Sequence, residues 1–514
     1  MYPGTFATST PDKTAIVVAD TGASLTYAEL DEATARLARV FHDSGLRRGD
    51  HVAFLTPNSL ELFVTYWAAL RSGLYVTGVN YNLSADEAGY IVRDCGARAL
   101  VASAEVSDLA EALVAQSPGI ELRLAFGGAI RGHDSFEDAL AKVSAEPLAD
   151  QRRGADMLYS SGTTGQPKGV KPPLPEHLVS EPGDPFAGVF GPMYGFGPDT
   201  VYYSPAPGYH AAPLRFGGIV HYFGGTLVLG KKFDAVRSLE AVEKYGVTHS
   251  QWVPTMFVRM LKLDPDVRAS YDVSTLACAI HAAAPCPVDV KQQMIDWWGP
   301  VLHEYYGGTE GNGLTLINSE QWLERPGSVG KAGLGTLRIC GEDGEVLDAG
   351  RVGSVYFERD TMPFAYHNDP DKTRASQHPD HETWTTIGDI GYVDEDGYLF
   401  LTDRKAFMII SGGVNIYPQE VEDCLALHPK VLDLAVFGIP DDEMGEQVKA
   451  VVQPAPGVET GPALEQELLA FVRDRMAHFK VPRSIDFSES LPRTPTGKLV
   501  KGILRDAYVK AAKG

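Results

Sequence analysis

Four hydroxyl side chains, three glycines and one lysine fall within ten consecutive positions, Ser160-Ser161-Gly162-Thr163-Thr164-Gly165-Gln166-Pro167-Lys168-Gly169. Such a run suits phosphate chemistry. Glycines let backbone N–H groups converge on an anion, hydroxyls add donors, and the lysine supplies a mobile positive charge. It is not a Walker A loop, because Gly-x4-Gly-Lys-[Ser/Thr] does not occur in it and Pro167 precedes the lysine. A flexible Gly/Ser linker is the plain alternative, and the closing Pro-Lys-Gly argues against it.

Farther along, Tyr306-Gly307-Gly308-Thr309-Glu310 offers a flat ring for stacking a purine, then two glycines that let backbone come close. A hydroxyl donor and a carboxylate able to ligate a hard cation such as Mg2+ follow. Asp389, after Gly388, has the reach to accept both hydroxyls of a ribose, and Arg404 can pair with the ribose or phosphate side of a nucleotide. On their own, Asp389 and Arg404 read better as a surface turn with a salt bridge. Lys498 stands in the projecting turn Pro495-Thr496-Gly497-Lys498 and in isolation is a solvated lysine.

In order along the chain, these segments resemble the adenylate-forming superfamily, which includes acyl-CoA synthetases, luciferases and the adenylation domains of peptide synthetases. The resemblance also takes in the stretch from Asp403-Arg404 through Ile410-Ser411-Gly412-Gly413 to Pro418-Gln419-Glu420, and covers nearly the full length. It implies that ATP is bound by Ser160, Ser161, Gly162, Thr163, Thr164, Gly165 and Lys168, with Tyr306, Gly307, Asp389 and Arg404. Thr309 and Glu310 would serve a phosphate and Mg2+. Lys498 would bridge the acid's carboxylate and the ATP α-phosphate as pyrophosphate leaves. His210, in Pro207-Gly208-Tyr209-His210, matches an aromatic gate beside the acyl carboxylate, with a packed loop histidine as the alternative. The implied reaction makes an acyl-adenylate. A smaller domain then turns, withdraws Lys498 and presents Ser411-Gly412-Gly413 beside a pantetheine tunnel, so that the CoA thiol attacks. Electrostatics governs the first step, because a carboxylate must reach an anionic phosphorus and cations have to neutralise the like charges.

Two departures stand out. Where the family carries Thr-His-x-Asn soon after the phosphate loop, this chain has Lys171-Pro172-Pro173-Leu174-Pro175, and where it has Lys then Asp past the hinge arginine, this chain has Ala406-Phe407. A member specialised for one half-reaction is therefore an alternative, as are a luciferase-like oxygenase and a nucleotide-binding module without catalysis. CoA is expected over a fused carrier protein, since only sixteen residues follow Lys498; a separate carrier stays open. The absence of Asp from Gly208 to Val220 disfavours an amino-acid substrate. Small residues at Ala211-Ala212, Ala282-Ala283-Ala284 and Gly307-Gly308 suit a roomy acyl pocket for a fatty or bulky acid, or else mark tight packing.

Several kinds of element must position these groups. Thr26 and Glu29 have capping-box spacing ahead of the apolar face Leu30, Ala33, Leu37 and Phe41, so a helix is expected there, ending at Gly45. Apolar bursts at 52–56, 74–79 and 99–102 alternate with helical patterns at 61–72 and 85–94, the signature of an α/β fold. Residues 171–213, with ten prolines, read as loop. After a second α/β run, turn signals such as Glu342-Asp343-Gly344 mark a β-rich stretch from 327 to 401. The expected fold is α/β. A large N-terminal ATP- and acyl-binding domain, 1–402, holds two α/β sheet subdomains and a small β-barrel-like subdomain; a small mobile α+β C-terminal domain spans 403–514.

Composition sets the outer limits. At 514 residues, 44% hydrophobic and 22% charged, the chain is ordinary globular material with room for more than one core. A formal net charge of -22 argues against broad affinity for nucleic acid or anionic lipid. Five scattered cysteines give no metal spacing or disulfide framework, so a reduced, cytoplasmic setting is expected. No apolar stretch reaches membrane-spanning length. The expected partners are small molecules: a carboxylic acid, ATP and CoA.

Overall fold

Thr26 caps the helix Tyr27–Asp43 as its spacing predicts: its hydroxyl accepts from Glu29 N at 3.2 Å, and the Glu29 carboxylate accepts from Thr26 N at 2.8 Å. Leu30, Leu37 and Phe41 are buried, whereas Ala33 is half-buried and Thr34 and Ala35 pack in its place. Gly45, at φ 88, turns the chain away in the left-handed region. The computed structural model describes residues 1–160, 167–404, 407–411, 414–441, 443–492 and 499–512, with backbone alone at 403–404 and 511–512. They form two compact units. One comprises 1–251, 271–278 and 364–371; the other comprises 252–270, 279–363 and 372–514.

In the first unit, six parallel strands run in the spatial order Asp134–Ser135, Leu122–Phe126, Ala97–Ser103, His51–Leu55, Tyr75–Gly78 and Ala155–Asp156. Helices Leu60–Leu70 and Ala85–Asp94 alternate with them, as the apolar bursts predict. A second set pairs His249–Trp252, Val201–Ser204, Thr226–Leu229 and Thr14–Val18 in parallel. The helix Leu60–Leu70 touches strands of both sets and is buried from Leu62 through Leu70, which explains why it is apolar all round.

Residues 171–213 are not loop throughout, as the prolines suggested. A helix spans Pro185–Tyr194 and a strand spans Val201–Ser204. Asp184 caps the helix by accepting from Ala187 N at 2.8 Å, Pro185 sits at the first turn where its missing N–H costs nothing, and Gly195 ends it at φ 69. Asp184 also pairs with Arg153, whose guanidinium lies over the Trp67 ring. Behind this, Arg215 on the helix Ala211–Tyr222 pairs with Asp156 at 2.6 Å, both nearly buried.

In the second unit, the parallel strands Cys278–His281 and Leu302–Tyr306 are followed by antiparallel Leu314–Asn318 and Lys331–Leu334. Lys291 and Glu304 form a buried pair at 2.6 Å; burial raises the Glu304 pKa and Lys291 opposes it. The β-rich stretch is a six-stranded antiparallel sheet built on Gly353–Glu358 and including Asp389–Val393 and Leu399–Arg404. The last sheet orders Val414–Ile416, Ile409–Ser411, Gly445–Pro454 and Val431–Asp441, with Ser484–Phe487 parallel to Gly445–Pro454. Helices Pro418–Ala426, Pro462–Arg473 and Lys501–Ala512 accompany it. Among the described residues, no helix is long and apolar enough to cross a membrane.

Two buried imidazoles give the first unit an acid sensitivity. His221 accepts the Trp67 indole N–H on Nδ1 at 3.0 Å, so Nε2 carries the proton donated to the Ala15 carbonyl, also at 3.0 Å. A second proton would face another donor. Burial holds its pKa down to about 4, and burial with Lys171 and His367 nearby does the same for His51. Unfolded histidine titrates near 6.5, so between that pH and about 4 the unfolded chain binds more protons, and stability falls as pH falls through the window. Denaturant unfolding at pH 7 and pH 5 should show each imidazole removing about 2 kcal/mol at the lower pH; unchanged stability would contradict this.

Candidate active site

Ser160 ends the strand Leu158–Ser160, Lys168 begins Lys168–Val170, and the two strands pair antiparallel with Ser160 opposite Lys168. The first hydroxyl and the lysine of the run are thus cross-strand neighbours. Ser161, Gly162, Thr163, Thr164 and Gly165 lie outside the described residues. Space at Gly169 is tight, since a Cβ there would come 2.7 Å from the Met157 methyl and 3.1 Å from the Tyr159 ring. Tyr159 donates its phenol proton to Asp94 Oδ2 at 2.6 Å, and burial raises its pKa, which keeps that proton in place. Beyond the hairpin, the proline-rich exit follows Tyr75. The Lys171 ammonium lies 4.7 Å from the centre of that ring, and the Tyr75 hydroxyl donates to the Pro172 carbonyl at 2.7 Å.

His210 stands at the start of the helix Ala211–Tyr222 in extended backbone, its ring 4.4 Å from that of Tyr209. The loop before it is held by Asn58, 3% exposed, whose amide nitrogen donates to the Ala206 and Gly230 carbonyls while its oxygen accepts from Gly208 N at 2.7 Å. The sequence did not point to Asn58. Its partners lie about 150 residues or more away, and one asparagine after a strand carries no local pattern.

In the second unit, Tyr306 ends its strand and donates to Asp389 Oδ2 at 2.7 Å. Asp389 begins the strand Asp389–Val393 and stands in register opposite Arg404. Three residues picked from separate motifs are therefore adjacent: two by a hydrogen bond and two by strand pairing. After Tyr306 the chain turns tightly, with Gly311 N donating to the Gly308 carbonyl at 3.1 Å. A Cβ on Gly308 would lie 2.7 Å from Glu310 Oε2 and push that carboxylate aside, and one on Gly307 would lie 3.1 Å from the Gly313 carbonyl, so side chains at either position would crowd the turn. The turn leaves Thr309 and Glu310 half-exposed at the strand end. One accessible carboxylate beside a hydroxyl fits Mg2+, which keeps waters and substrate phosphates as ligands and does not need a cage. Among the described residues, no group of three or more His, Cys, Asp or Glu forms such a cage.

The small-residue stretch Ala282-Ala283-Ala284 follows the strand Cys278–His281, and Ala283 is held at φ 75, a left-handed conformation rare outside glycine. Ser411 ends Ile409–Ser411, pairs with Val414 on the antiparallel strand Val414–Ile416 and also faces Gly445. Gly412, Gly413, Ala406 and Lys498 lie outside the described residues. Phe407 has the Lys501 ammonium 5.7 Å from its ring centre, and Lys501 pairs with Glu422 at 2.9 Å.

The family of AMP-binding enzymes matches residues 5–366, and its C-terminal domain matches residues 420–498. The chain belongs to this family. Over 508 residues it is 31% identical to the long-chain-fatty-acid–CoA ligase FadD13 of Mycobacterium tuberculosis, covering 98% of this chain and 97% of that one. Over 502 residues it is 33% identical to the feruloyl-CoA synthase of an Amycolatopsis species, covering 95% and 94%. The solved structure of the anthranilate CoA ligase AuaEII with anthranoyl-AMP superposes with a TM-score of 0.84 at 26% identity, over 100% of this chain and 97% of that one. This AMP-binding enzyme is an AMP-forming acid–CoA ligase that uses ATP and CoA.

The phenol of Tyr306 and the carboxylate of Asp389, 6% exposed, give this AMP-binding enzyme a measurable internal contact. Tyr306→Phe keeps the ring and removes the donor. A stability loss of about 1.5–3 kcal/mol is expected in denaturant unfolding, the usual worth of a hydrogen bond to a charged group; a variant as stable as the parent would show that the contact carries no weight.

Proposed function

We infer that the enzyme runs both half-reactions on a fatty or bulky aryl acid, with a cytoplasmic location. The adjacency of Tyr306, Asp389 and Arg404, which come from three separate motifs and are joined by one hydrogen bond and one strand register, supports the reading. Tyr306 stacks the purine, with Gly307 giving the nucleotide backbone room, and Asp389 and Arg404 take the ribose side. Ser160, the loop from Ser161 to Gly165 and Lys168 grip the phosphates. Mg2+, held by Glu310 beside Thr309, supplies charge neutralisation at the triphosphate when bound. His210 lines the approach of the acyl carboxylate, and Lys498 draws that carboxylate toward the α-phosphate. Residues 403–514 then turn as a domain, and Ser411-Gly412-Gly413 lines the path of the pantetheine thiol.

A bulky acid is supported by the small side chains of Ala282-Ala283-Ala284 and by the relatives, a long-chain-fatty-acid–CoA ligase, a feruloyl-CoA synthase and an anthranilate CoA ligase. Acid-dependent pyrophosphate release with and without CoA, over a panel of fatty, aryl, polycyclic and acetic acids, tests this. Release with a fatty or aryl acid, followed by thioester formation when CoA is added, is expected. A preference for acetate would sink the substrate class. Release without thioester would favour an enzyme specialised for adenylation, oxygen uptake with the adenylate would favour an oxygenase, and ATP binding without release would favour a mute module.

The role given to Lys498 has its own test. Lys498→Ala should slow adenylation by about 10²–10³-fold, the usual effect of losing one transition-state charge partner, while leaving acyl transfer from supplied acyl-adenylate to CoA near the parent rate. Equal losses in the two half-reactions would contradict the assignment.

A further inference from the structure

A lysine on a four-carbon stem samples many rotamers, so a phosphate loop that relies on one gains from holding it in place before ATP arrives. The first unit has a device for this. After the strand Gly353–Glu358, the chain contributes residues 364–371, which run into the start of the helix Pro370–Ala375, to this unit. That segment runs along the Lys168 strand. Val170 bridges Tyr366 antiparallel, and His367 N donates to the Gly169 carbonyl at 2.8 Å. The Lys168 ammonium lies 5.1 Å from the centre of the Tyr366 ring, within the range where a cation is attracted by the ring face.

One helix end ties the two pieces together. Asp94, the last residue of Ala85–Asp94, accepts the Tyr159 phenol proton on Oδ2 at 2.6 Å and the Asn368 amide on Oδ1 at 3.1 Å. Its carbonyl accepts from His367 Nε2 at 3.1 Å, which places the proton of that imidazole on Nε2. Asn368 sits at φ 56, a left-handed conformation asparagine tolerates. Asp94 thus fastens both the strand entering the loop and the segment that carries Tyr366.

We propose that Tyr366 is a positioning residue for adenylation, its ring face holding the Lys168 ammonium where the chain leaves the phosphate loop, while Asp94 ties the Tyr366 segment and the strand entering the loop to one helix end. This rests on the reading that the loop takes the phosphates of ATP. The aromatic face, and not the phenol hydroxyl, is what the lysine uses. Tyr366 therefore bears on ATP binding and adenylation and has no part in thiol transfer.

Kinetics of the full chain decide it: ATP KM and kcat for acid-dependent pyrophosphate release, and the rate of acyl transfer from supplied acyl-adenylate to CoA. The variants are Tyr366→Phe, Tyr366→Leu, Lys168→Ala and the double variant Lys168→Ala with Tyr366→Leu. Tyr366→Phe should stay within about twofold of the parent, and Tyr366→Leu should lose roughly three- to thirtyfold in kcat/KM for ATP with thiol transfer intact. The double variant should be no worse than Lys168→Ala alone, because the two residues act as one unit. Equal losses in the Phe and Leu variants, additive losses in the double variant, or loss of both half-reactions in Tyr366→Leu would overturn the proposal. A Lys168→Ala variant with an unchanged ATP KM would overturn the reading of the loop as well, which separates that failure from the failure of Tyr366 alone.

Discussion

Like charges resist each other, and a carboxylate that must approach a triphosphate meets that resistance directly. Two unit charges 4 Å apart repel by about 1 kcal/mol in water and by several times more where water is excluded. An enzyme for this reaction therefore has to set cations and N–H donors in place before either anion arrives. Under the proposed function, the antiparallel register that puts Ser160 opposite Lys168 would meet part of this demand, because it sets the first hydroxyl of the donor-rich run beside its lysine. The tight turn through Gly307 and Gly308 would, under the same function, meet another part by returning Glu310 to the strand end.

Both site segments are fed by strands anchored on buried ion pairs just upstream. Asp156 pairs with Arg215 four residues before Ser160, and Glu304 pairs with Lys291 two residues before Tyr306. Desolvation takes back much of what such pairs gain in Coulomb energy, and apolar residues of the same volume often hold a fold as well. What a charged pair adds is a single register: a slip by one residue would bury an unpaired carboxylate and turn every side chain of the strand to the other face. Glu304 shares its strand with Tyr306, so its pair bears directly on the face Tyr306 takes, whereas Asp156 ends the strand before the one that carries Ser160.

Much of this was legible in the sequence wherever the signal is local. The capping box of Thr26 and Glu29, the strands His51–Leu55 and Ala97–Ser103, and the helix Ala85–Asp94 all follow from short-range pattern. Tyr306, Asp389 and Arg404 could be picked from their motifs, and the structure adds that they are neighbours. The helix Pro185–Tyr194 was obscured because prolines on either side read as loop, although Asp184-Pro185 at its start and Gly195 at its end are ordinary helix boundaries. Asp94, Tyr366, His367 and Asn368 left no trace, since contacts spanning some 270 residues have no local periodicity. The same holds for Asn58, whose three bonds shape the loop before His210.

The chemistry leaves a mark that no binding measurement can imitate. When a carboxylate oxygen attacks the α-phosphorus, that oxygen stays on AMP after the thiol has taken the acyl group. With a carboxylic acid labelled by ¹⁸O in both oxygens, ATP and CoA, mass spectrometry of the products should find one ¹⁸O in AMP and none in pyrophosphate. Label in pyrophosphate or inorganic phosphate, or AMP free of ¹⁸O alongside newly formed acyl-CoA, would contradict attack at the α-phosphorus and the account of the site built on it.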